Sequence, residues 1–230
     1  MLNVATRSTA LELIDGRVDS PRELEESFRD IALINRRFGG TAVVRFALRD
    51  LEPRSLLDVC AGVADIPKAI AATAHRRGQA LSVTCLDSNE TLVELSRARH
   101  AGDPGIAFVC GDATKLPFHD GAFDVAMCNL ALHHFDPDAA VALLKELRRV
   151  SRLTPIVTDL SRSQLTLLAA WSFSRLFTRN RLTRNDAPLS ARRAYTSDEA
   201  IVLARAAGWR APRTEPFRFI RMVLRDDATL

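Results

Sequence analysis

Short runs of hydrophobic residues alternate with longer amphipathic stretches through the middle of the chain. The short runs are apolar nearly throughout and predict buried strands, whereas the longer stretches repeat their apolar positions with the spacing of a helix. Strands that are apolar on both faces and alternate with helices are typical of a parallel sheet covered on both sides. The predicted strands are 55–60, 81–86, 106–110, 123–128 and 155–160, joined by helices at 66–76, 90–98 and 138–150.

The two ends of the chain follow a different pattern. Residues 1–52 are predicted to form an N-terminal helical cap, because their helices end at glycine and proline signals before the first strand begins. Residues 53–230 are then the α/β domain, with a helical lid inserted at about 161–195, after the fifth strand. The later elements are predicted to be helices at 164–178 and 197–207 and a closing hairpin from 213–217 and 219–224.

Composition favours a folded cytoplasmic protein. Hydrophobic residues make up 47% of the chain and charged residues 26%, which is ordinary for a globular domain. The longest apolar stretch, 165–173, falls short of the roughly 18 residues that a spanning helix needs, and the first residues lack the pattern of a secretory signal. The four cysteines form no CxxC pair, so we expect reduced thiols and no zinc site.

Positive charge is concentrated in the predicted lid. The net charge is +4, and the stretch 161–193 holds seven arginines against the single acid Asp186. Such a cluster suits an anionic ligand, a nucleic acid or a membrane surface, and a solvated basic surface explains it equally well. The sequence leaves these alternatives open.

Polar side chains follow the predicted strands at the edge where ligands bind in a parallel sheet. Asp58, Asp87 and Asp112 mark the ends of the first three strands, and Asn129 ends the fourth. A dinucleotide fingerprint is missing, since Asp65 stands where its last glycine would be and would repel a pyrophosphate. Carboxylates suit ribose hydroxyls, an adenine amino group and a cationic tail. S-adenosylmethionine combines those parts and has no phosphate.

The stretch from residue 57 to residue 135 resembles the class I S-adenosylmethionine-dependent methyltransferases, in particular the bacterial small-molecule enzymes related to ubiquinone/menaquinone C-methylases. This resemblance implies a Rossmann-like seven-stranded, mostly parallel sheet with helices on both faces. The family usually has glycine where Cys60 stands, and often where Ala64 stands. The motifs that carry the resemblance are Leu57-Asp58-Val59-Cys60-Ala61-Gly62, Leu86-Asp87, Gly111-Asp112-Ala113-Thr114, Gly121-Ala122-Phe123-Asp124 and Asn129-Leu130-Ala131-Leu132-His133-His134-Phe135.

The resemblance implies a role for each motif. Asp87 is expected to bind the ribose diol, and Asp112 the adenine, although turn formation is the alternative for Asp112. The expected cofactor-binding residues are Asp58, Cys60, Ala61, Gly62, Asp87, Ser88, Asp112, Ala113 and Asn129.

The residues expected around the acceptor are less firmly marked. His133 and His134 are candidate catalytic bases, with helix capping or packing as the alternative. No metal is expected, because adjacent histidines do not share a helix face. The candidate acceptor-binding residues are Arg36, Arg37, Trp171 and Tyr195.

Three functions are compatible with these features. The first is transfer of a methyl group from S-adenosylmethionine to oxygen or carbon of a small, largely apolar acceptor such as a phenol, quinol or polyketide-like ring. The second is methylation of a nucleic acid, which the arginine cluster favours and the absence of an RNA-binding module opposes. The third is a non-catalytic binding protein on this fold. For the first we expect a monomer or homodimer that binds no nucleic acid and is not stably inserted in a membrane.

Overall fold

A seven-stranded sheet forms the centre of the computed structural model, which describes residues 4–16, 21–37, 39–103 and 105–229. The strand order is β3-β2-β1-β4-β5-β7-β6. All neighbours pair in parallel except β7, which is antiparallel to both β5 and β6. The strands are β1 (Ser55–Val59), β2 (Ser82–Asp87), β3 (Ile106–Cys110), β4 (Phe123–Asn129), β5 (Ser151–Leu160), β6 (Pro212–Phe217) and β7 (Arg221–Asp226).

Eight α-helices lie around the sheet in the described part of the chain. They are α1 (Pro21–Arg37), α2 (Gly40–Ala47), α3 (Asp65–Arg76), α4 (Glu90–Arg99), α5 (Pro137–Val150), α6 (Gln164–Phe177), α7 (Arg181–Arg193) and α8 (Ser197–Ala206). The predicted fold class, a seven-stranded and mostly parallel sheet with helices on both faces, is confirmed. None of the helices in the described ranges is long and apolar enough to cross a membrane.

Two apolar layers cover the two faces of the sheet. One layer contains the buried side of α5 and α8, including Leu143 and Ala204, packed on Leu57 and Val157. The other layer, on the opposite face of the sheet, contains α2 and α3. Val44 of α2 packs there against residues of the strands. Because α2 belongs to this second layer, part of the N-terminal cap is built into the core of the α/β unit.

Strand β5 begins earlier than the sequence predicts. The predicted strand starts at Pro155, a residue that cannot donate a hydrogen bond inside a sheet, whereas β5 starts at Ser151. In the structure Pro155 pairs with Ala126 of β4, and the ladder to β7 starts only at the next residue, Ile156. The hydroxyl of Thr154 donates to the Asp226 carbonyl at 3.0 Å. The pairing of β4 and β5 therefore continues past Pro155 although this residue has no N–H to donate.

The lid contains one helix more than the sequence predicts. Pro188 lies inside α7 and obscured it in the sequence pattern. The side chain of Asp30 on α1 accepts hydrogen bonds from Thr178 and from Thr183, the latter at 3.1 Å. Arg181 adds an ion pair with Glu23 at 3.0 Å. The lid is thus fastened to the N-terminal cap.

Candidate active site

A cavity of about 580 Å³ lies at the carboxyl ends of the parallel strands, beneath the lid. Its floor is formed by residues that follow β1, β2 and β4, and its walls come from α1, α6 and α7. This is the position where ligands bind in open α/β sheets. Seven of the nine predicted cofactor residues line it: Asp58, Cys60, Ala61, Gly62, Asp87, Ser88 and Asn129.

The loop after β1 takes the conformation that the family usually builds from glycine. Cys60 has φ 60°, Gly62 has φ 54° and Ala64 has φ 57°. A left-handed conformation costs a residue with a side chain about 1–2 kcal/mol, so Cys60 and Ala64 are strained here. A side chain at Gly62 would meet nothing within 4 Å, which leaves that part of the loop open to a ligand. The two departures from the family motif therefore preserve the shape of the loop.

Asp87 connects the first two strand ends. Its carboxylate accepts the backbone N–H of Gly62 at 2.8 Å and that of Asn89 at 3.0 Å. Asp87 does not cap α4, since Asn89 does so by accepting the Leu92 N–H. The remaining lone pairs of Asp87 are available to a diol in the cavity.

Asp58 is a buried carboxylate without a full set of partners. Its side chain is 2% exposed, and its Oδ1 has no hydrogen-bond partner among the described residues. Burial raises the pKa of Asp58 well above its ordinary value, and the negative charges of Asp65 and Asp87 raise it further. A buried acid in this state is stabilised by a cationic ligand. The ammonium and sulfonium groups of S-adenosylmethionine fit that requirement.

Asp112 and Ala113 lie outside the lining of the cavity. Asp112 accepts both the backbone N–H and the hydroxyl of Thr114 at 2.8 Å, as a turn-forming aspartate does. These hydrogen bonds lower the pKa of Asp112. Gly111 donates to the Asp87 carbonyl at 3.0 Å, which keeps the end of β3 beside the end of β2. The adenine-binding role of Asp112 stays a prediction.

His133 is part of a buried histidine–aspartate pair. It lies in a short 3-10 turn, Leu132–His134, soon after β4, and is 3% exposed. Its Nδ1 is 2.8 Å from Oδ1 of Asp159, and Oδ2 of Asp159 accepts the backbone N–H of His133 at 2.9 Å. Burial alone would raise the pKa of Asp159, but the charge and hydrogen bonds of His133 bring it below its ordinary value. Asp159 therefore stays ionised and fixes the ring so that Nε2 faces the cavity.

His134 is held in a similar way by the N-terminal segment. Its Nδ1 lies 2.9 Å from Oδ1 of Asp15. The Nε2 atoms of both histidines point toward Glu12, at 3.7 Å for His133 and 4.0 Å for His134. Burial raises the pKa of Glu12 to about 7, although His134 and the Ser190 hydroxyl oppose the rise.

The reason given for expecting no metal does not hold in the structure. Because residues 132–134 form a 3-10 turn rather than an α-helix, the two imidazole rings lie 4.4 Å apart, tilted toward each other. Ligand atoms of Glu12, His133 and His134 all lie within 4.8 Å of one another, so these three groups can hold a divalent cation. The absence of a metal stays a prediction, but the geometric argument for it no longer applies.

Two of the predicted acceptor-binding residues, Trp171 and Tyr195, do not line the cavity. Trp171 is 46% exposed on the outer side of α6, whereas Ala170 and Phe173 of the same helix line the cavity. Tyr195 is buried behind the wall, where its hydroxyl donates to the Phe135 carbonyl at 2.8 Å. The side chains of Arg36 and Arg37 lie outside what the structure describes. The wall where we expected the acceptor-binding residues is formed instead by apolar side chains, including Phe28, Ile31, Ile34, Leu160 and Ile220.

Several polar residues of the site were missed in the sequence. Asp159 precedes the last residue of β5, so extending the search for strand-end acids by one strand would have found it. Glu12 and Asp15 lie in a short segment before α1 that carries no recognisable motif. Arg221 begins β7, and nothing in its neighbours in the sequence marks it as a cavity residue.

The raised pKa of Glu12 gives a testable dependence of stability on pH. Unfolding returns Glu12 to its ordinary pKa of 4.5, so ionisation in the unfolded chain destabilises the fold as pH rises from about 5 to about 7. We expect the Glu12→Gln variant to be more stable than the parent protein at pH 8, by at most roughly 3 kcal/mol. Urea unfolding at pH 5 and pH 8 measures the difference.

A control separates this effect from a general response to lost charge. Glu94 is exposed on α4, and Glu94→Gln should leave the unfolding free energy of the protein unchanged at both pH values. Equal stability of Glu12→Gln and the parent protein at pH 8 would mean that Glu12 ionises without cost beside His134, Arg193 and the Ser190 hydroxyl.

Comparison with known proteins bears on the cofactor half of the site. Residues 56–153 match the family described as a methyltransferase domain. A demethylmenaquinone methyltransferase of Staphylococcus epidermidis is 39% identical over 111 residues, which are 48% of this chain and 44% of that protein. The chain therefore spans less than half the length of the curated relatives it matches.

Solved structures extend the similarity over most of the fold. A SAM-dependent methyltransferase from Aquifex aeolicus superposes with a TM-score of 0.63 at 15% identity, covering 86% of this chain and 96% of that one. Human N-acetylserotonin methyltransferase, solved in complex with SAM, gives a TM-score of 0.65 at 15% identity, covering 88% of this chain and 55% of that one. At such low identity these likenesses concern the fold.

The comparisons confirm the resemblance that the motifs indicated. Residues 56–153 match a methyltransferase domain, and 111 residues of the chain are related in sequence to the demethylmenaquinone methyltransferases. The matched stretch holds every predicted cofactor residue, from Asp58 to Asn129. Glu12, Asp159 and Arg221 lie outside it, so the acceptor half of the cavity has to be interpreted from its own chemistry.

Proposed function

We propose that this protein transfers the methyl group of S-adenosylmethionine to a hydroxyl oxygen or ring carbon of a small, largely apolar acceptor. The observation that carries the proposal is the composition of the single cavity described above. Its cofactor half holds Asp58 and Asp87, its acceptor half is walled by aliphatic and aromatic side chains, and His133 also lines it.

The cofactor half has the charge that S-adenosylmethionine requires. Asp87 would accept from the ribose hydroxyls while it holds the Gly62 loop, and Asp58 would face the cationic methionyl part. When bound, the cofactor supplies an electrophilic methyl group on a positively charged sulfur. The open space above Gly62 allows a ligand to contact the loop backbone.

His133 would accept a proton from the acceptor hydroxyl. Its Nδ1–H is donated to Asp159, which leaves the lone pair on Nε2 free to act as the base. The ionised Asp159 stabilises the imidazolium that forms, and the buried position keeps water away from it. Removing the proton makes the acceptor oxygen, or the ring carbon conjugated to it, a stronger nucleophile. Alignment of this atom with the methyl group provides the rest of the acceleration.

The acceptor class follows from the wall of the cavity. Phe28, Ile31 and Ile34 of α1 face Ala170 and Phe173 of the lid across a space suited to a ring. The name of the staphylococcal relative states a quinone-type acceptor for that protein. Both observations favour a quinol or phenol.

Two measurements test this proposal. Calorimetric titration with S-adenosylhomocysteine should give a micromolar dissociation constant, close to −8 kcal/mol. Transfer of a radioactive methyl group from S-adenosylmethionine to 1,4-naphthohydroquinone should then exceed transfer to total RNA. Preferential labelling of RNA would favour the nucleic-acid alternative, and no binding at millimolar cofactor would favour a non-catalytic protein.

Treatment with a chelator tests whether His133 acts as a base or binds a metal ion together with Glu12. If His133 acts as a base, methyl transfer should persist after dialysis against EDTA. Activity that disappears with EDTA and returns with Mg²⁺, Mn²⁺ or Zn²⁺ would instead assign Glu12, His133 and His134 to a metal ion that binds the acceptor oxygen.

A further inference from the structure

Arg221 is a buried cation in the acceptor half of the cavity. It is the first residue of β7 and pairs with Leu160 at the end of β5. Its side chain is 3% exposed and lines the cavity. Two of its three guanidinium nitrogens, Nε and Nη1, have no hydrogen-bond partner among the described residues. An arginine buried in this way needs an anion.

The nearby charges do not supply that anion. Asp159 attracts Arg221, but both of its oxygens already accept hydrogen bonds from His133 and from the Leu160 backbone. Arg218 repels it. Burial lowers the pKa of Arg221 to about 10, so the side chain still carries its charge at neutral pH. The positive charge therefore remains without a paired carboxylate, beside the apolar side chains of Leu160 and Ile220.

The position of Arg221 separates it from the nucleoside end of the site. In the sheet, β5 lies between β4 and β7, so β7 is two strand spacings, roughly 10 Å, from β4. Asp87 ends β2, which lies two further strands away on the other side of β4. Leu160 and Ile220, the neighbours of Arg221 in the cavity lining, are apolar.

We propose that Arg221 binds a carboxylate on the acceptor, so that the acceptor is an apolar ring compound with an anionic group. This inference rests on the proposed function, because it names the substrate class of the same site. The planar guanidinium offers a carboxylate two parallel N–H donors, and a buried pair of this kind is strong and directional. The same contact would fix the ring so that its hydroxyl faces His133.

The test compares two ligands with the same ring and hydroxyl, one carrying a carboxylate and the other its neutral methyl ester. Protein saturated with S-adenosylhomocysteine is titrated with 4-hydroxybenzoate and with methyl 4-hydroxybenzoate. The parent protein should bind the carboxylate at least about tenfold more tightly than the ester, a difference of roughly 1.4 kcal/mol. Arg221→Met should abolish this preference, and Arg221→Lys should restore part of it.

Stability provides a second readout in the same variants. Removing an unpaired buried charge stabilises a fold, so Arg221→Met should melt at a higher temperature than the parent protein. Arg225 on the same face of β7 is a matched control, since it is buried, donates to the Ala47 carbonyl at 3.0 Å and does not line the cavity. Arg225→Met should lower the melting temperature and leave the ligand preference unchanged.

Three results would overturn the proposal while leaving the methyltransferase function intact. The first is a parent protein that binds cofactor but neither benzoate probe at millimolar concentration, and the second is an Arg221→Met variant that keeps the full preference for the carboxylate. If Arg221→Met weakens binding of S-adenosylhomocysteine by tenfold or more, the anion is the methionyl carboxylate of the cofactor. Failure of the parent protein to bind S-adenosylhomocysteine at all would instead contradict the proposed function.

Discussion

Replacing Asp87 with alanine is expected to weaken binding of S-adenosylhomocysteine by about 100-fold. Hydrogen bonds to a charged group contribute about 1.5–3 kcal/mol each, and the Asp87 carboxylate would accept from the proposed ribose diol in addition to the Gly62 N–H that it already accepts. The alanine variant loses the ligand contacts and also releases the loop whose strained residues Cys60 and Ala64 it helps to hold. Calorimetric titration of the purified variant measures the loss.

A matched variant separates the role of Asp87 from the general effect of removing an acid at this edge. Asp112 also ends a strand, but it lies outside the cavity lining and its carboxylate is engaged by Thr114. Asp112→Ala should therefore weaken binding less than Asp87→Ala does. Circular dichroism should show both variants folded. Unchanged affinity in folded Asp87→Ala would remove Asp87 from the site, and equal losses would place the adenine firmly on Asp112.

The cofactor half of the cavity could be predicted from the sequence because it depends on local rules. Parallel strands end at one edge, so Asp58, Asp87 and Asn129 had to come together once the strands were recognised. The alternation of strands and helices predicted the order of elements for the same reason. Even the departure at Cys60 was visible, although its left-handed backbone conformation was not.

The acceptor half depends on contacts between distant parts of the chain. Asp15 and His134 are separated by 119 residues, and the carboxylate that orients His133 lies 26 residues beyond it. No periodicity reports such contacts, and the segment that carries Glu12 has no strong helical pattern. The sequence analysis also missed the part of β5 before Pro155 and the helix that contains Pro188.

The largest effect on turnover is expected from His133→Ala. Loss of a positioned general base lowers turnover by about 10² to 10⁴-fold, and His134 is more exposed than His133 and is held by Asp15. Affinity for S-adenosylhomocysteine should change little, because His133 would contact the acceptor rather than the nucleoside. Single-turnover transfer to 1,4-naphthohydroquinone, measured beside cofactor titrations, separates the two quantities.

Asp159→Asn tests whether His133 works as a base or only shapes the cavity. The amide keeps the volume and one acceptor for the ring, but it removes the negative charge that stabilises the imidazolium. The protonated ring then becomes less stable, so the rise of activity with pH should begin at a lower pH, with a lower maximum. If His133 only shapes the cavity, Asp159→Asn would lower activity without shifting the pH profile. If His133→Ala and Asp159→Asn both kept the parent rate and pH profile, transfer in this cavity would need no base, and alignment of the acceptor alone would account for it.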